Sequence, residues 1–261
     1  MAIKLLFNDR TKQMIYFILR LSVTLVGIRQ FFLSNYHGIF MCFLTLILFM
    51  IPKIINKRFQ IALPNLLEII IIVFIYSAEI LGEVNRYYLT VPHFDTILHT
   101  INGFIMAGIG FALVDILNRS EKVTFSLSPA YLVFVAFCFS MTTGVIWEFF
   151  EFGMDQFLLT DMQKDTIIQT VSSVKFHPEG LNESVAIPIE SVVINDEVWN
   201  YGGYLDIGLI DTMKDLIVNF VGAIVFSFIG WLYLKGKSPL AGEFIPKVEK
   251  KKTHASKECG A

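Results

Sequence analysis

Charged side chains are scarce in this sequence. Asp, Glu, Lys and Arg make up 17% of its 261 residues, whereas apolar residues make up 54% and include 25 phenylalanines. Together with a mean hydropathy of +0.61, this composition differs from that of a soluble domain. We therefore expect lipid to surround most of the chain.

Cysteine is also sparse, and its positions exclude two common kinds of stabilising site. Cys42 and Cys138 lie within apolar runs, and Cys259 lies near the C-terminal end of the sequence. A disulfide framework or a zinc knuckle needs closely paired cysteines, and these three form no such pair. The basic residues form no patch interleaved with aromatic side chains, so the sequence also lacks the signature of a nucleic-acid-binding protein.

Six apolar stretches are long enough to cross a bilayer as helices. About 20 mostly apolar residues span the roughly 30 Å of hydrocarbon in a membrane. The stretches cover 13–33, 37–55, 62–82, 93–117, 129–154 and 208–234. The sequence thus predicts an all-α integral membrane protein, a bundle of about six transmembrane helices.

Lysine and arginine are unevenly distributed between the connections of these helices. Basic residues in short connections mark the cytoplasmic side of a membrane protein. Here they cluster in alternate connections and in the C-terminal tail, at Lys4, Arg10, Lys12, Lys53, Lys57, Arg58, Arg119, Lys122, Lys235 and Lys237 and at the lysines beyond them. This alternation predicts a multi-pass protein of the bacterial cell membrane with both termini in the cytoplasm.

Two segments outside the helices divide the chain further. Residues 1–154 contain the first five predicted helices, and 208–234 form the sixth. Between them, 155–207 contains short alternating stretches separated by turn residues, which predicts an extracytoplasmic loop with a small β hairpin or meander. The lysine-rich segment 235–261 is predicted to be a disordered basic tail near anionic headgroups.

Ionisable residues gather toward the outer end of the predicted bundle. Charged groups inside hydrocarbon are costly and usually face the bundle interior or an aqueous cavity, so they are candidates for function. Helices four, five and six each carry polar residues three or four positions apart, which places them on one helix face. They are Asp95 and His99, then Glu148 and Glu151, then Asp211, Asp215 and Asn219. If these faces meet, they line an outward-open pocket of carboxylates and one imidazole.

Such a pocket requires a compensating charge, because several close carboxylates cannot all stay ionised without one. Carboxylate oxygens with one imidazole suit Mg, Mn, Ca or, less typically, Zn. The predicted metal ligands are Asp95, His99, Glu148, Glu151, Asp211 and Asp215. His99 and Glu148 are the predicted catalytic residues.

Other charged residues have a structural explanation. Acidic residues near a helix N-terminus are favoured by the helix dipole, and carboxylates at the membrane interface reach water. This alternative carries equal weight for Glu83, Asp155 and Asp206. Nearer the predicted cytoplasmic face, Arg20 and Glu68 are expected to form a structural salt bridge.

Three motifs in the second half of the chain together resemble a known family. They are Phe94-Asp95-Thr-Ile-Leu-His99-Thr-Ile-Asn-Gly103, Gly144-Val-Ile-Trp147-Glu148-Phe-Phe-Glu151 and Gly208-Leu-Ile-Asp211-Thr-Met-Lys-Asp215-Leu-Ile-Val-Asn219. In this order they resemble the YjdF-like bacterial membrane-spanning proteins and, more distantly, VanZ-like proteins. The resemblance covers helices four to six and implies a membrane location, but no particular reaction. Lys214 and the long outer loop depart from the family pattern.

Three functions fit these features, and the residue pattern leaves the choice open. The first is a metal-assisted hydrolase or transferase acting on a lipid-linked or envelope substrate, with His99 or Glu148 as general base. The second is a cation- or proton-coupled transporter that uses the same carboxylates. The third is an envelope sensor or assembly factor that binds through 155–207. We rank the enzyme first, since the candidate groups stop in the outer half of the predicted bundle and the sequence shows no inverted repeat.

Overall fold

The protein forms two compact units. The structure, a computed structural model, describes residues 7–59, 61–118, 127–237, 240–245 and 247–248. The larger unit comprises Met1–Thr143 and Val218–Ala261, and the smaller unit comprises Gly144–Ile217. Both boundaries fall inside long helices.

Helices make up most of the described chain. Asn8 and Asn35 begin the first two by accepting hydrogen bonds from the backbone N–H groups of Thr11 and Gly38, which is the usual role of an N-cap. The helices are α1 (Asp9–Phe32), α2 (Tyr36–Leu48), α3 (Ile51–Phe59), α4 (Asn65–Tyr76), α5 (Tyr87–Thr90), α6 (Phe94–Asn118), α7 (Pro129–Leu158) and α8 (Leu209–Leu234). A π-helix over Ser77–Val84 directly continues α4.

Five helical segments within the described residues are long and apolar enough to cross a membrane. They are Asp9–Phe32, Tyr36–Arg58, Phe94–Asp115, Pro129–Leu158 and Leu209–Leu234. The remaining predicted stretch, 62–82, is instead built from α4 and the π-helix. The predicted fold class, a helical membrane protein with a small β region, is confirmed, with five such spans and one composite segment.

Apolar side chains lie on the inner and the outer surfaces of the helices in the larger unit. Phe111 and Phe226 are fully buried, and their rings meet edge to face with centroids 6.0 Å apart. Phe17 and Phe31, in contrast, are mostly exposed on α1. A helix that is apolar on all sides suits a lipid environment, because its outer face gains contact with acyl chains.

Two glycines let α6 and α8 approach each other closely. A Cβ atom on Gly103 would overlap the backbone carbonyl oxygen of Asn219, and one on Gly222 would overlap that of Thr100. Small residues at a helix crossing are typical of membrane bundles, where van der Waals contact drives association. The two backbones are therefore in direct contact at this crossing.

The expected salt bridge between Arg20 and Glu68 is wrong. Glu68 instead accepts hydrogen bonds from Lys12 Nζ at 2.9 Å and from the Tyr16 hydroxyl at 3.0 Å. Arg20 lies over the Tyr16 ring, 5.2 Å from its centroid. Lys12, Tyr16 and Arg20 share one face of α1 at four-residue spacing. Glu68, in the first turn of α4, lies beside Lys12 and Tyr16, near the N-terminal end of α1, so the prediction placed it too far along α1.

Short antiparallel strands form in the predicted outer loop. The strands of the smaller unit are β2 (Ile167–Ile168), β3 (Thr170–Ser173), β4 (Val185–Pro188), β5 (Val192–Ile194), β6 (Glu197–Trp199) and β7 (Tyr204–Leu205). Strand β2 pairs with β7, β3 with β4, and β5 with β6. The loop thus contains two hairpins, as the alternating sequence indicates. In the larger unit, β1 (Ile61–Ala62) pairs with β8 (Lys247–Val248).

The C-terminal segment differs from the predicted disordered tail in its described part. Leu240–Glu243 form a 3-10 turn, and Ile245 is buried within the apolar core. The Phe244 ring packs edge to face on Phe104, with centroids 5.6 Å apart. Two apolar residues within a lysine-rich stretch are enough to hold this part of the chain against the helices. Residues 249–261 lie outside the described residues.

Candidate carboxylate site

Three of the predicted ligands converge in the smaller unit. Glu148 and Glu151 lie three residues apart on α7, and Asp215 lies on α8. Each offers a carboxylate oxygen, and these oxygens all lie within 4.8 Å of one another. The three residues are only 5%, 7% and 3% exposed, respectively. Two oxygens that each bind one hard cation at about 2.0–2.6 Å lie at most about 5 Å apart, so this spacing fits a shared ion.

Burial gives this cluster its chemical character. Removing an ionised carboxylate from water costs several kcal/mol even after the surroundings relax. Three such groups in one place therefore require bound protons or a cation to balance their charge. Carboxylate oxygens with no sulfur ligand favour Mg²⁺, Mn²⁺ or Ca²⁺ over softer metals.

Trp147 holds one member of the cluster in place. Its indole Nε1–H donates a hydrogen bond of 2.8 Å to Glu151 Oε1, and its ring lies against Phe150 with centroids 5.3 Å apart. Trp147 enters the sequence prediction only as part of a motif, and this contact was not predicted. The four-residue spacing between Trp147 and Glu151 is the signal that indicates it.

His99 and Asp95 form a pair on α6 in the larger unit. His99 Nε2 lies 3.6 Å from Asp95 Oδ1, one helical turn away. His99 is buried, whereas Asp95 is partly exposed. A carboxylate beside an imidazole stabilises the charged ring that forms when histidine accepts a proton. The participation of both residues in a metal site remains a prediction from the sequence.

Asp211 makes a different contact from the other predicted ligands of the smaller unit. Its Oδ2 accepts the backbone N–H of Lys164 at 2.7 Å, and it is not among the converging carboxylates within the described residues. The neighbouring Thr212 hydroxyl accepts a hydrogen bond from Gln163 Nε2 at 2.5 Å. The start of α8 is therefore tied to the segment that follows α7.

Asp155 and Asp206 also hold the segment that follows α7 through hydrogen bonds. Asp155 accepts hydrogen bonds from the backbone N–H groups of Met162 and Gln163, at 2.7 and 2.8 Å. Asp206 accepts those of Thr166 and Ile210, both at 2.7 Å. Burial alone would raise the pKa of Asp206, but these backbone donors outweigh it and hold the pKa below its ordinary value. Both carboxylates therefore bind backbone N–H groups, and within the described residues neither is among the converging carboxylates.

A buried polar layer crosses the larger unit. Asn219 is 1% exposed, and its Nδ2 donates to the carbonyl oxygen of Ser140 at 3.4 Å. The Ser140 hydroxyl donates in turn to the carbonyl oxygen of Gly103 at 2.7 Å. The Asn219 Oδ1 atom has no hydrogen-bond partner among the described residues. Asn219 therefore takes part in helix packing at the Gly103 crossing.

Comparison with known proteins places the chain in a family. Residues 12–236 match the family described as "Predicted membrane protein (DUF2238)". The chain belongs to this family. The match includes all three motifs that resemble the YjdF-like membrane proteins, and the two assignments agree. No curated protein and no solved structure gives a significant match. The DUF2238 description specifies the membrane and no reaction, so the carboxylate cluster is the main guide to function.

Proposed function

We propose that this DUF2238 protein is a metal-assisted hydrolase or transferase that acts on a lipid-linked or envelope substrate. The observation that supports this is the convergence of Glu148, Glu151 and Asp215, whose oxygens lie within 4.8 Å in a buried position. Buried carboxylates at this spacing can serve as ligands of a divalent cation, which supports the proposal. The distribution of basic residues in the sequence predicts that the site is reached from the outer leaflet.

A cation held by these residues would polarise a phosphoryl or acyl oxygen of the substrate. The hydrolytic reaction also needs a group that takes a proton from the attacking water or alcohol. Glu148 is the candidate for this general base within the smaller unit, and His99, in the larger unit, is a candidate from the sequence alone. The Asp95 carboxylate, 3.6 Å from His99 Nε2, would stabilise the imidazolium form.

Metal analysis of purified protein tests the cation directly. Wild-type protein incubated with Mn²⁺ and desalted should retain about one ion per chain, and Glu148→Gln should retain far less. Asp115→Asn is the matched control, since Asp115 is also a buried carboxylate in a membrane helix but lies outside the cluster. The variant His99→Ala tests whether the imidazole contributes. Equal, near-zero metal in all four proteins would refute the metal site.

A second assay separates the enzyme from the transporter. Purified protein with Mn²⁺ should release phosphate or the headgroup from a lipid-linked diphosphate, and Glu148→Gln should abolish the release. Proteoliposomes should show no cation or proton flux that depends on Glu148. Flux that is lost in Glu148→Gln, without any turnover of lipid, would support transport instead. Glu68, toward the predicted cytoplasmic face, forms a salt bridge with Lys12. Because its charge is already balanced, Glu68 adds no support for a transport path.

A further inference from the structure

Arg20 is a charged residue on the lipid-facing side of α1. Of the five apolar segments, α1 is the least buried, and the large apolar side chains next to Arg20 on its surface, Phe17 and Leu21, are exposed. Arg20 is itself exposed and lies close to the middle of α1, which runs from Asp9 to Phe32. A charge at this depth in hydrocarbon is costly unless an anion or water reaches it.

The Arg20 side chain points toward the N-terminal end of α1. Its guanidinium carbon lies 5.2 Å from the centroid of the Tyr16 ring, and Tyr16 is one helical turn nearer to that end. A long basic side chain on a membrane helix turns in this way when its charge reaches toward the headgroups. The contact with the ring is a cation–π interaction, so the N–H donors of the guanidinium stay available to an acceptor.

The neighbouring ion pair leaves Arg20 out. Glu68 on α4 accepts hydrogen bonds from Lys12 Nζ at 2.9 Å and from the Tyr16 hydroxyl at 3.0 Å. Within the described residues, no carboxylate forms a salt bridge with Arg20. The anion that balances this guanidinium therefore has to come from outside the described chain.

Two further polar residues continue from Arg20 toward the N-terminal end of α1. Gln13 and Arg10 lie seven and ten residues before Arg20, and both are exposed. At 3.6 residues per turn, these spacings place the three residues on one side of the helix, over about 15 Å of its length. We call Arg10, Gln13 and Arg20 the α1 polar stripe. It joins the middle of the lipid-facing surface to the end of the helix, where headgroups lie.

The charge of this region favours an anionic ligand. Arg10, Lys12 and Arg20 are positive. Asp9 and Glu68 are negative, and their oxygens lie 3.9 and 2.9 Å from Lys12 Nζ. Three positive and two negative side chains leave one positive charge in excess. A phosphate diester is the anion that the bilayer itself supplies, and guanidinium groups bind phosphate through charge-assisted hydrogen bonds.

A second copy of the chain is a poorer partner for this surface. Helix α1 carries no carboxylate beyond Asp9 at its beginning. Two copies that pack symmetrically through α1 in one membrane would place their Arg20 side chains at the same depth, with like charges facing each other. A phospholipid instead brings a negative headgroup to the end of the stripe and acyl chains to its apolar flanks.

We propose that the α1 polar stripe binds the phosphate group of an anionic phospholipid, in the leaflet at the N-terminal end of α1. Arg20 would bind the phosphate from the hydrocarbon side, the Gln13 amide would donate a hydrogen bond to it, and Phe17 would contact an acyl chain. The basic residues of the sequence predict that this leaflet is the cytoplasmic one. The site shares no residue with the carboxylate cluster, so it operates with or without a metal-dependent reaction.

Native mass spectrometry of the full-length protein in a non-ionic detergent tests the proposal, because it resolves bound lipids and the oligomeric state together. Phosphatidylglycerol is the anionic probe, and phosphatidylcholine is the zwitterionic one. Glycerol 3-phosphate offers the phosphate group without acyl chains. Wild-type protein should retain phosphatidylglycerol in preference to phosphatidylcholine and should retain no glycerol 3-phosphate.

Substitutions in the α1 polar stripe locate the binding. Arg20→Gln should weaken phosphatidylglycerol binding about tenfold, the effect of losing a hydrogen bond to a charged group. Gln13→Leu should weaken it about fivefold, since the bond lost has a neutral donor. Both positions are exposed, so circular dichroism should show an unchanged helical fold. Arg86→Gln removes an exposed arginine outside the five apolar segments and is the control that should bind as wild type does.

Four results would overturn the proposal. Equal binding of phosphatidylglycerol by wild type and Arg20→Gln would place the lipid elsewhere. Equal binding of the two phospholipids by wild type would remove the selectivity that the excess charge predicts. A wild-type dimer that Arg20→Gln converts to a monomer would assign this surface to a second copy of the chain. Retained glycerol 3-phosphate would assign the stripe to a soluble phosphate compound.

Discussion

The smaller unit uses the same side-chain chemistry for two different purposes. Glu148, Glu151 and Asp215 are buried and face one another. Asp155 and Asp206 accept two backbone hydrogen bonds each, from N–H groups of the loop and of the first turn of α8. Backbone donors balance the charge of a carboxylate locally, whereas carboxylates that face each other require an external cation or protons. The environment of each carboxylate, more than its presence near a helix end, distinguishes a candidate site from a structural tether.

The largest expected effect comes from removing a ligand of the proposed ion. Asp215→Asn should weaken Mn²⁺ binding more than about 100-fold. Loss of a residue that only hydrogen-bonds to a metal ligand costs about 10–100-fold in affinity, and loss of the ligand itself should cost more. Asp206→Asn should bind Mn²⁺ as wild type does. Isothermal titration of the two variants measures this contrast. Equal Mn²⁺ affinities of the two variants would contradict the assignment of Asp215 to a metal site and of Asp206 to a structural role.

A smaller effect is expected at the residue that orients Glu151. Trp147→Phe keeps the aromatic ring and removes the hydrogen bond to Glu151 Oε1. We expect a loss of about 10–100-fold in Mn²⁺ affinity, since residues that hydrogen-bond to a metal ligand contribute at this level. Trp231→Phe is the matched control, because it makes the same change on another helix. Unaltered affinity in Trp147→Phe would assign the tryptophan to packing alone.

Much of the fold follows from the sequence, since apolar runs determine which segments can enter a membrane. The predicted stretch 93–117 is α6 at Phe94–Asn118, and 208–234 is α8 at Leu209–Leu234. The break at Phe49 and Met50 has a different sequence signal, because Pro52 cannot donate a helix hydrogen bond and its ring clashes with the carbonyl group of Leu48, four residues before it. Hydropathy records neither this break nor the π-helix of Ser77–Val84.

Only part of the candidate site could be predicted from the sequence. Helical spacing indicates that Glu148 and Glu151 share a face, and it also indicates the contact of Trp147 with Glu151. Spacing does not indicate that Lys164 donates to Asp211, a contact that joins residues 47 positions apart. The sequence also does not give the relative depth of side chains in the membrane, so the predicted partner of Glu68 is Arg20, whereas the partner in the structure is Lys12. Contacts that depend on loop paths and on relative depth need coordinates.

Loss of a tether should loosen the loop without affecting the proposed ion. Asp206→Asn cannot accept two charge-assisted hydrogen bonds, so we expect the loop to lose about 1–3 kcal/mol of local stability. Amide hydrogen exchange at Thr166 and Ile210 should accelerate accordingly. Asp196→Asn, at an exposed turn position, is the control. Unchanged exchange would mean that Asp206 is not a tether.

The smallest effects concern pH. The pKa of Asp206 is held below its unfolded value, so its contribution to stability is full above the unfolded pKa and is lost as pH falls through the folded pKa. Asp165 is the opposite case, because burial and then the nearby Asp161 and Asp206 raise its pKa. Ionisation of Asp165 thus reduces stability as pH rises. At pH 7, Asp165→Asn should slow amide exchange in the loop slightly while Asp206→Asn speeds it. Changes in the same direction would contradict these assignments.

An anomalous-scattering map at the manganese edge, from crystals grown with Mn²⁺, tests the central claim most directly. We predict a peak within bonding distance of carboxylate oxygens of Glu148, Glu151 and Asp215, and none beside Asp155 or Asp206. Occupied peaks only beside Asp155 or Asp206, or an ordered carboxylate cluster without a peak at saturating Mn²⁺, would contradict the proposal that the three buried carboxylates hold a cation.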